Sequence, residues 1–180
     1  MEYDEKRYTS QDGLSLYFRD YGPIGGNAMP VLCLAGLTRN SHDFSGLASL
    51  LALNRRVICP DYRGRGQSAY DTNWRNYIPL TYINDIRHLL VSLNLNRIFV
   101  IGSSMGGVLT MGMGAAMPTY LAGALINDIG PVIDRCVMNK ILSYLRDGLP
   151  AFHDWAHAAA YMRKNFPELS AKSDEDWDWI

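Results

Sequence analysis

The chain has 180 residues, about the length of one ordinary domain. Its 17 basic and 18 acidic residues leave a formal net charge of −1. This balance argues against nucleic acid or an anionic membrane as the main partner, because no basic surface attracts phosphate. The 48% of hydrophobic residues suffice for a packed core and exclude global disorder.

The predicted elements alternate strand and helix after an initial hairpin. Residues 3–9 and 14–21 alternate apolar and polar side chains around Asp12-Gly13, which predicts two paired strands. Short apolar runs predict buried strands at residues 31–35, 56–59, 98–101 and 121–126. Helical spacing predicts a helix capped by Asn40 or Ser41 that runs to Leu51, and others at 79–94 and 104–117. This alternation predicts an α/β fold with a mostly parallel sheet and helices on both faces.

One uncharged stretch, residues 98–127, is long enough to suggest a membrane span. Its many glycines and Pro118 supply too many breaks and too little aliphatic bulk for that role. A buried strand, helix and strand of the α/β core are predicted instead, and no membrane partner is expected.

The last third of the chain differs from the first two. No strand is predicted after Asn127, and helices are predicted at residues 134–147, 151–164 and 173–180. We therefore predict a core domain over residues 1–130 and a helical segment over residues 131–180. The last helix has a capping signature at its start but no closing residue, so we expect the chain to be a truncated piece of a longer protein.

The cysteines and the N-terminus indicate a reducing compartment. Cys33, Cys59 and Cys136 are odd in number and widely spaced, so neither a zinc site nor a disulfide framework is predicted. Cys33 and Cys59 lie inside apolar runs and are predicted to be buried thiols. The charged start, MEYDEKR, is not typical of a signal peptide, and a cytoplasmic location is expected.

The strongest motif is Gly102-Ser103-Ser104-Met105-Gly106, a G-x-S-x-G sequence between a predicted strand and a predicted helix. In this setting the tight turn holds a strained serine at the carboxyl edge of the sheet, beside a helix N-terminus. The spacing selects Ser104 rather than Ser103 as the nucleophile. The alternatives are a small-residue turn or a phosphate-binding loop, but neither G-x-G-x-x-G nor Gly-Lys-Ser/Thr is present.

Three motifs in order resemble those of the α/β-hydrolase-fold serine hydrolases. Leu34-Ala35-Gly36-Leu37 resembles the oxyanion loop after the third strand, and Asp61–Ser68 resembles the D-x-R-G-x-G-x-S loop after the fourth. The motif around Ser104 resembles the nucleophile elbow after the fifth strand. The resemblance covers residues 1 to about 130, and the helical remainder is similar to the start of the family's cap.

The resemblance implies a serine hydrolase that acts on a small carboxylic ester, a lactone or a related acyl bond. Ser104 would form an acyl-enzyme, and the backbone N–H groups of Leu37 and Met105 would stabilise the oxyanion. No cofactor and no metal is implied, and a serine disfavours the members with an aspartate nucleophile, haloalkane dehalogenases and epoxide hydrolases. The family's oxyanion loop usually reads His-Gly, whereas this chain has Ala35-Gly36. This departure affects the rigidity of the loop and leaves the donors unchanged.

The resemblance also implies a catalytic acid and then a histidine after Ser104. His42 and His88 precede Ser104, whereas His153 and His157 follow it in helical sequence. A triad with Asp128 and either late histidine obeys the order, but we favour surface or lid roles for these histidines. Asp128 is a minor candidate for the acid, and a loop aspartate is favoured. We expect the histidine, and with it the acid, to lie beyond these residues.

Two other hypotheses belong to different functional classes. One is a non-catalytic truncated paralogue, or a ligand-binding protein on the same fold. The other is a metal-dependent hydrolase, because the sequence from His153 to His157 resembles the H-E-x-x-H zinc helix, with aspartate in place of glutamate and no third ligand evident.

Overall fold

Six strands form one sheet in the computed structural model, which describes residues 2–25, 27–148 and 150–165. The strands are β1 (Tyr3–Thr9), β2 (Ser15–Tyr21), β3 (Val31–Leu34), β4 (Val57–Pro60), β5 (Ile98–Ser103) and β6 (Leu121–Asn127). The helices are α1 (Ser45–Leu51), α2 (Pro79–Ser92), α3 (Met105–Ala116), α4 (Arg135–Asp147) and α5 (Trp155–Asn165). The α/β fold class is therefore confirmed.

The parallel strands place the three sequence motifs together at the carboxyl end of the sheet. The order is β1-β2-β4-β3-β5-β6. The β1 strand pairs antiparallel with β2 and β2 with β4, whereas β3 pairs parallel with β4 and β5, and β5 with β6. Since the carboxyl ends of parallel strands lie at the same end of the sheet, the loops that follow β3, β4 and β5 meet there.

The core lies on both faces of the sheet because successive strand residues point to opposite sides. In β3, Leu32 and Leu34 pack with one buried cluster, which includes residues of α2 and α3. Val31 and Cys33 pack with the other cluster, on the face covered by α1. Cys59 is also buried in that second cluster, so the predicted burial of both thiols is confirmed.

One local feature differs from the predicted helices. Asn40 accepts a hydrogen bond from the His42 N–H at 2.9 Å, but the turn that it caps, Ser41–Phe44, is a 3-10 turn that precedes α1. The predicted helix at 173–180 lies outside the described residues. No helix among the residues that the structure describes is long and apolar enough to cross a membrane.

The β6 strand forms an open edge of the described sheet. It pairs with β5 on one side, and Leu125 and Ile126 are 48% and 40% exposed. A strand in this position presents unpaired backbone groups and apolar side chains to any partner that can cover them.

Two compact units divide the chain, Met1–Ile133 and Asp134–Ile180. The first holds the sheet with α1, α2 and α3, and the second contains α4 and α5. Within the second unit, the Phe152 ring packs against the rings of Tyr161 and His157, with centroids 5.3 and 5.6 Å away. The rings of His153 and His157 stack at 5.6 Å.

Candidate active site

Ser104 adopts a strained conformation between β5 and α3. Its φ of 50° and ψ of −115° lie where side chains are rarely tolerated, at a cost on the order of 1–3 kcal/mol. The Ser104 N–H donates to the Asn127 carbonyl at 3.0 Å, and the Ser104 carbonyl accepts from Gly107 and Val108. Hydrogen bonds to β6 and to the first turn of α3 therefore hold this turn in place.

Glycines flank Ser104 because α3 crosses the sheet at very short range. A Cβ on Gly106 would lie 2.0 Å from the Leu34 carbonyl oxygen of β3. A Cβ on Gly102 would lie 2.4 Å from the Gly106 carbonyl oxygen. No other residue fits at either position unless the helix moves, so the glycines fix the start of α3 beside the ends of β3 and β5.

The N-terminus of α3 is free to interact with an anion. No side chain caps it, and its first turn contains no acidic residue. The Met105 N–H, the first in the helix, has no intrahelical partner. The positive end of the helix dipole adds to these donors, as in the anion sites of other helix N-termini.

The loop after β3 passes directly beside Ser104. A Cβ on Gly36 would lie 3.7 Å from the Ser104 Cβ. Leu37 follows and is half-buried. Among the described residues, neither the Leu37 nor the Met105 N–H donates a hydrogen bond. The structure thus brings the three predicted site residues to one place, while their catalytic roles stay a prediction.

The Asp61–Ser68 loop is held by buried charges. The Arg63 side chain is fully buried and donates to Asp85 at 2.8 and 2.7 Å, to Asp71 at 2.7 Å and to Asp12 at 2.8 Å. Arg63 thereby joins the β1–β2 turn, its own loop and α2. Its guanidinium holds the pKa of Asp12 down at about 2.

Asp61 links the same loop to the loop after β3. Its carboxylate accepts hydrogen bonds from the Ser41 N–H at 2.7 Å and the Gln67 N–H at 2.8 Å. The left-handed Gly66, with φ of 52°, leaves room for that carboxylate, since a Cβ there would lie 2.1 Å from Asp61 Oδ2. Asp61 and Arg63 therefore have structural roles in joining these loops.

Within the described part of the first unit, no histidine hydrogen-bonds to Ser104. His42 lies exposed in the 3-10 turn before α1, and His88 lies on α2. Asp128 directly follows β6, is exposed and has a left-handed φ of 56°. This conformation fits a residue that shapes the turn after β6.

The residues of the zinc-helix hypothesis lie in the second unit, at the start of α5. Asp154, at the position of the motif's glutamate, accepts a hydrogen bond from the His157 N–H at 2.8 Å and so helps to begin α5. No group of three or more His, Cys, Asp or Glu residues in the described part of the chain is placed to hold a metal ion.

Three residues with a structural bearing on the site escaped the sequence analysis. Asn127 accepts from the Ser104 N–H and donates from Nδ2 to the Ser103 Oγ at 3.2 Å. Tyr62 and Arg65 donate to carbonyls of the loop after β3. Tyr62 and Arg65 occupy variable positions of the Asp61–Ser68 motif, so the motif alone gave no reason to select them.

Comparisons with known proteins agree with this architecture. The sequence model of the alpha/beta hydrolase family matches residues 31–180. The 3-hydroxybutyrate-oligomer hydrolase of Cupriavidus necator is 32% identical over 152 residues, which cover 84% of this chain and 51% of that protein. The chain thus spans about half the length of that relative.

Two solved structures extend the likeness to three dimensions. An alpha/beta hydrolase from Novosphingobium aromaticivorans superposes with a TM-score of 0.89 at 40% identity, covering 99% of this chain and 61% of that one. A thioesterase domain from the curacin biosynthetic pathway superposes with a TM-score of 0.74 at 25% identity, covering 100% and 66%.

Proposed function

The chain belongs to the alpha/beta hydrolase family, and on that premise we propose that it carries the nucleophile and oxyanion hole of a serine hydrolase. The observation that supports this most directly is the strained Ser104, which lies between the Gly36-Leu37 loop and the uncapped start of α3. The bond cleaved is a small carboxylic ester, a lactone or a related acyl bond such as a thioester.

The first half of the reaction forms an acyl-enzyme. The Ser104 Oγ attacks the carbonyl carbon, its proton passes to a base, and the carbonyl electrons move onto oxygen. The Leu37 and Met105 N–H groups donate to this oxyanion, and loss of one such donor costs on the order of 3 kcal/mol of barrier. When the intermediate collapses, the alcohol or thiol leaves and takes up the proton. Water then repeats the attack and releases the acid.

The base comes from outside these 180 residues. Since the chain spans 51% of the length of the Cupriavidus necator relative, and since no histidine of the described first unit hydrogen-bonds to Ser104, we assign the histidine and its acid to the remainder of the whole protein. Asp128, which follows the carboxyl end of β6, is the minor alternative to an acid from that remainder.

The names of two similar proteins fit acyl transfer to water. One is named a 3-hydroxybutyrate-oligomer hydrolase, and the other is a thioesterase domain. Both support a substrate with an ester or thioester bond. The alternative is a non-catalytic protein that binds a ligand on the same fold.

Labelling with a fluorophosphonate tests the proposal, because this probe forms a covalent adduct only with an activated serine. In the native-length protein we expect one adduct, mapped by mass spectrometry to Ser104. The Ser104→Ala variant should lose both the adduct and the hydrolysis of para-nitrophenyl butyrate. Ser103→Ala is the matched control and should keep both. Hydrolysis that survives Ser104→Ala would refute the proposal, whereas native protein that neither labels nor hydrolyses esters would favour the non-catalytic alternative.

A further inference from the structure

Three successive carbonyl groups of the loop after β3, residues 35–37, each accept a hydrogen bond. The donors are the Tyr62 hydroxyl to Ala35 at 3.0 Å, the Arg39 N–H to Gly36 at 3.2 Å and the Arg65 Nε to Leu37. Two of these donors are side chains of the neighbouring loop after β4. The loop that carries the Leu37 N–H is thus bound to a second loop along consecutive peptide groups.

These bonds control the direction of the Leu37 N–H. The Gly36 carbonyl and the Leu37 N–H belong to one planar peptide group and point in opposite directions. The Arg39 N–H holds that group from within the loop, whereas Tyr62 and Arg65 hold the peptide groups on either side. A rotation that redirected the Leu37 N–H would break the bond from the Arg39 N–H to the Gly36 carbonyl, and the bonds from Tyr62 and Arg65 restrain the peptide groups on either side.

The two side-chain donors are themselves held in place. Tyr62 is buried with its ring 5.3 Å from that of Tyr82 on α2. Burial raises the pKa of the Tyr62 phenol, so the hydroxyl remains a donor across the neutral range. Arg65 donates from Nη1 to the Tyr82 hydroxyl at 3.0 Å and to the Arg63 carbonyl at 3.3 Å. Both donors therefore rest on α2 through Tyr82.

We propose that Tyr62 and Arg65 are positioning residues that hold the oxyanion loop in its active conformation through the Ala35 and Leu37 carbonyls. The inference rests on the proposed function, because it assigns these residues an effect on the Leu37 donor. It also explains how the loop can be supported although the methyl side chain of Ala35 cannot donate a hydrogen bond. The support acts on main-chain carbonyls instead.

The test compares Tyr62→Phe with Tyr17→Phe in the native-length protein. Both substitutions remove one hydroxyl from a buried ring, and the Tyr17 hydroxyl bonds to Glu5 at 3.0 Å on the β1–β2 hairpin. Loss of one oxyanion donor lowers kcat about 100- to 1000-fold, and a donor that is only misdirected should lower kcat by part of that factor. We expect Tyr62→Phe to lower kcat about tenfold with KM within twofold, and Tyr17→Phe to leave both unchanged. Arg65→Met should behave like Tyr62→Phe, and Arg65→Lys, which keeps a donor, should recover part of the loss.

The possible failures are distinguishable. Equal kcat in Tyr62→Phe and Tyr17→Phe, with Ser104-dependent turnover in the unmodified protein, would overturn this inference alone. A fall in melting temperature without a fall in kcat would also assign the hydroxyl a purely structural role and overturn it. Absence of Ser104-dependent turnover in the unmodified protein would overturn the proposed function, and this inference with it.

Discussion

Replacement of Arg63 by methionine should destabilise the fold more than any surface substitution. The Arg63 side chain is fully buried, and the side chain of its partner Asp85 is 4% exposed. Removal of one member of a buried ion pair costs about 3–5 kcal/mol, because the other charge stays buried without compensation. Since domains are stable by about 5–15 kcal/mol, this loss would leave the protein close to unfolding.

The pH dependence identifies the cause. Burial raises the pKa of Asp85 even beside Arg63, and without the cation it should rise further. A carboxyl whose pKa is raised by folding takes up its proton at a higher pH in the folded state than in the unfolded state. The loss of unfolding free energy in Arg63→Met should therefore shrink as the pH is lowered from 7. The pKa of Asp12 is shifted in the opposite direction, because Arg63 lowers it to about 2. The bond between Asp12 and Arg63 therefore stabilises the folded protein above about pH 4, the ordinary pKa of an aspartate, and this stability is lost as the pH falls toward 2. The Arg63→Met variant should lack this acid-sensitive part of the stability.

Urea unfolding followed by circular dichroism measures both effects. The double variant Arg63→Met/Asp85→Asn should regain part of the lost stability at pH 7, because the unpaired buried charge has been removed. Arg7→Met is the control, since Arg7 is an exposed arginine that bonds to the Gln67 carbonyl at 2.9 Å; it should shift stability by less than about 0.5 kcal/mol. An Arg63→Met variant as stable as Arg7→Met, or a deficit independent of pH, would refute the reasoning.

Three further predictions follow from contacts elsewhere in the first unit and from the exposed thiol. Gly106→Ala should destabilise the fold by about 3 kcal/mol or more because its Cβ meets the Leu34 carbonyl. Gly114→Ala on the same helix, with its nearest contact at 3.7 Å, should instead stabilise the fold by about 0.5–1 kcal/mol. Equal melting temperatures of the two variants would contradict this prediction. A thiol reagent should modify exposed Cys136 in the folded protein and reach buried Cys33 and Cys59 only in urea; fast modification of Cys33 would contradict the packing. Leu125→Lys on the open β6 edge should raise the solubility of the 180-residue chain, and an unchanged precipitation threshold would show that this edge does not drive association.

Much of the fold could be predicted because local patterns agreed with the final packing. The apolar runs of β3 and β4 are buried on both faces of the sheet, and that of β5 is buried on one face and half-buried on the other, as continuous apolar strands of a covered sheet require. The strained turn at Ser104 was predictable for a related reason. Its strain and its close helix crossing demand Gly102 and Gly106, and a steric demand of that kind leaves a fixed spacing in the sequence.

Contacts between distant residues could not be predicted in this way. The sequence gives no means of pairing Arg63 with Asp12, Asp71 and Asp85, since any of 18 acidic residues was available. The insertion of β4 between β2 and β3 is likewise a property of the whole sheet. Such pairings depend on which segments the fold brings together, and a single sequence does not record that.

Ala35 shows how a motif comparison can miss a function that the backbone performs. A comparison of side chains finds the family's histidine absent at this position and leaves the loop without support. The Ala35 carbonyl is present whatever the side chain is, however, and it accepts from Tyr62. Because β3 and β4 are parallel neighbours, with Leu32 opposite Ile58, their following loops emerge side by side and this bond is within reach. If the Leu37 N–H is the oxyanion donor that we propose, the rigidity of its loop depends on residues 62 and 65 of the next loop, and substitutions there should affect catalysis more than substitutions at residue 35.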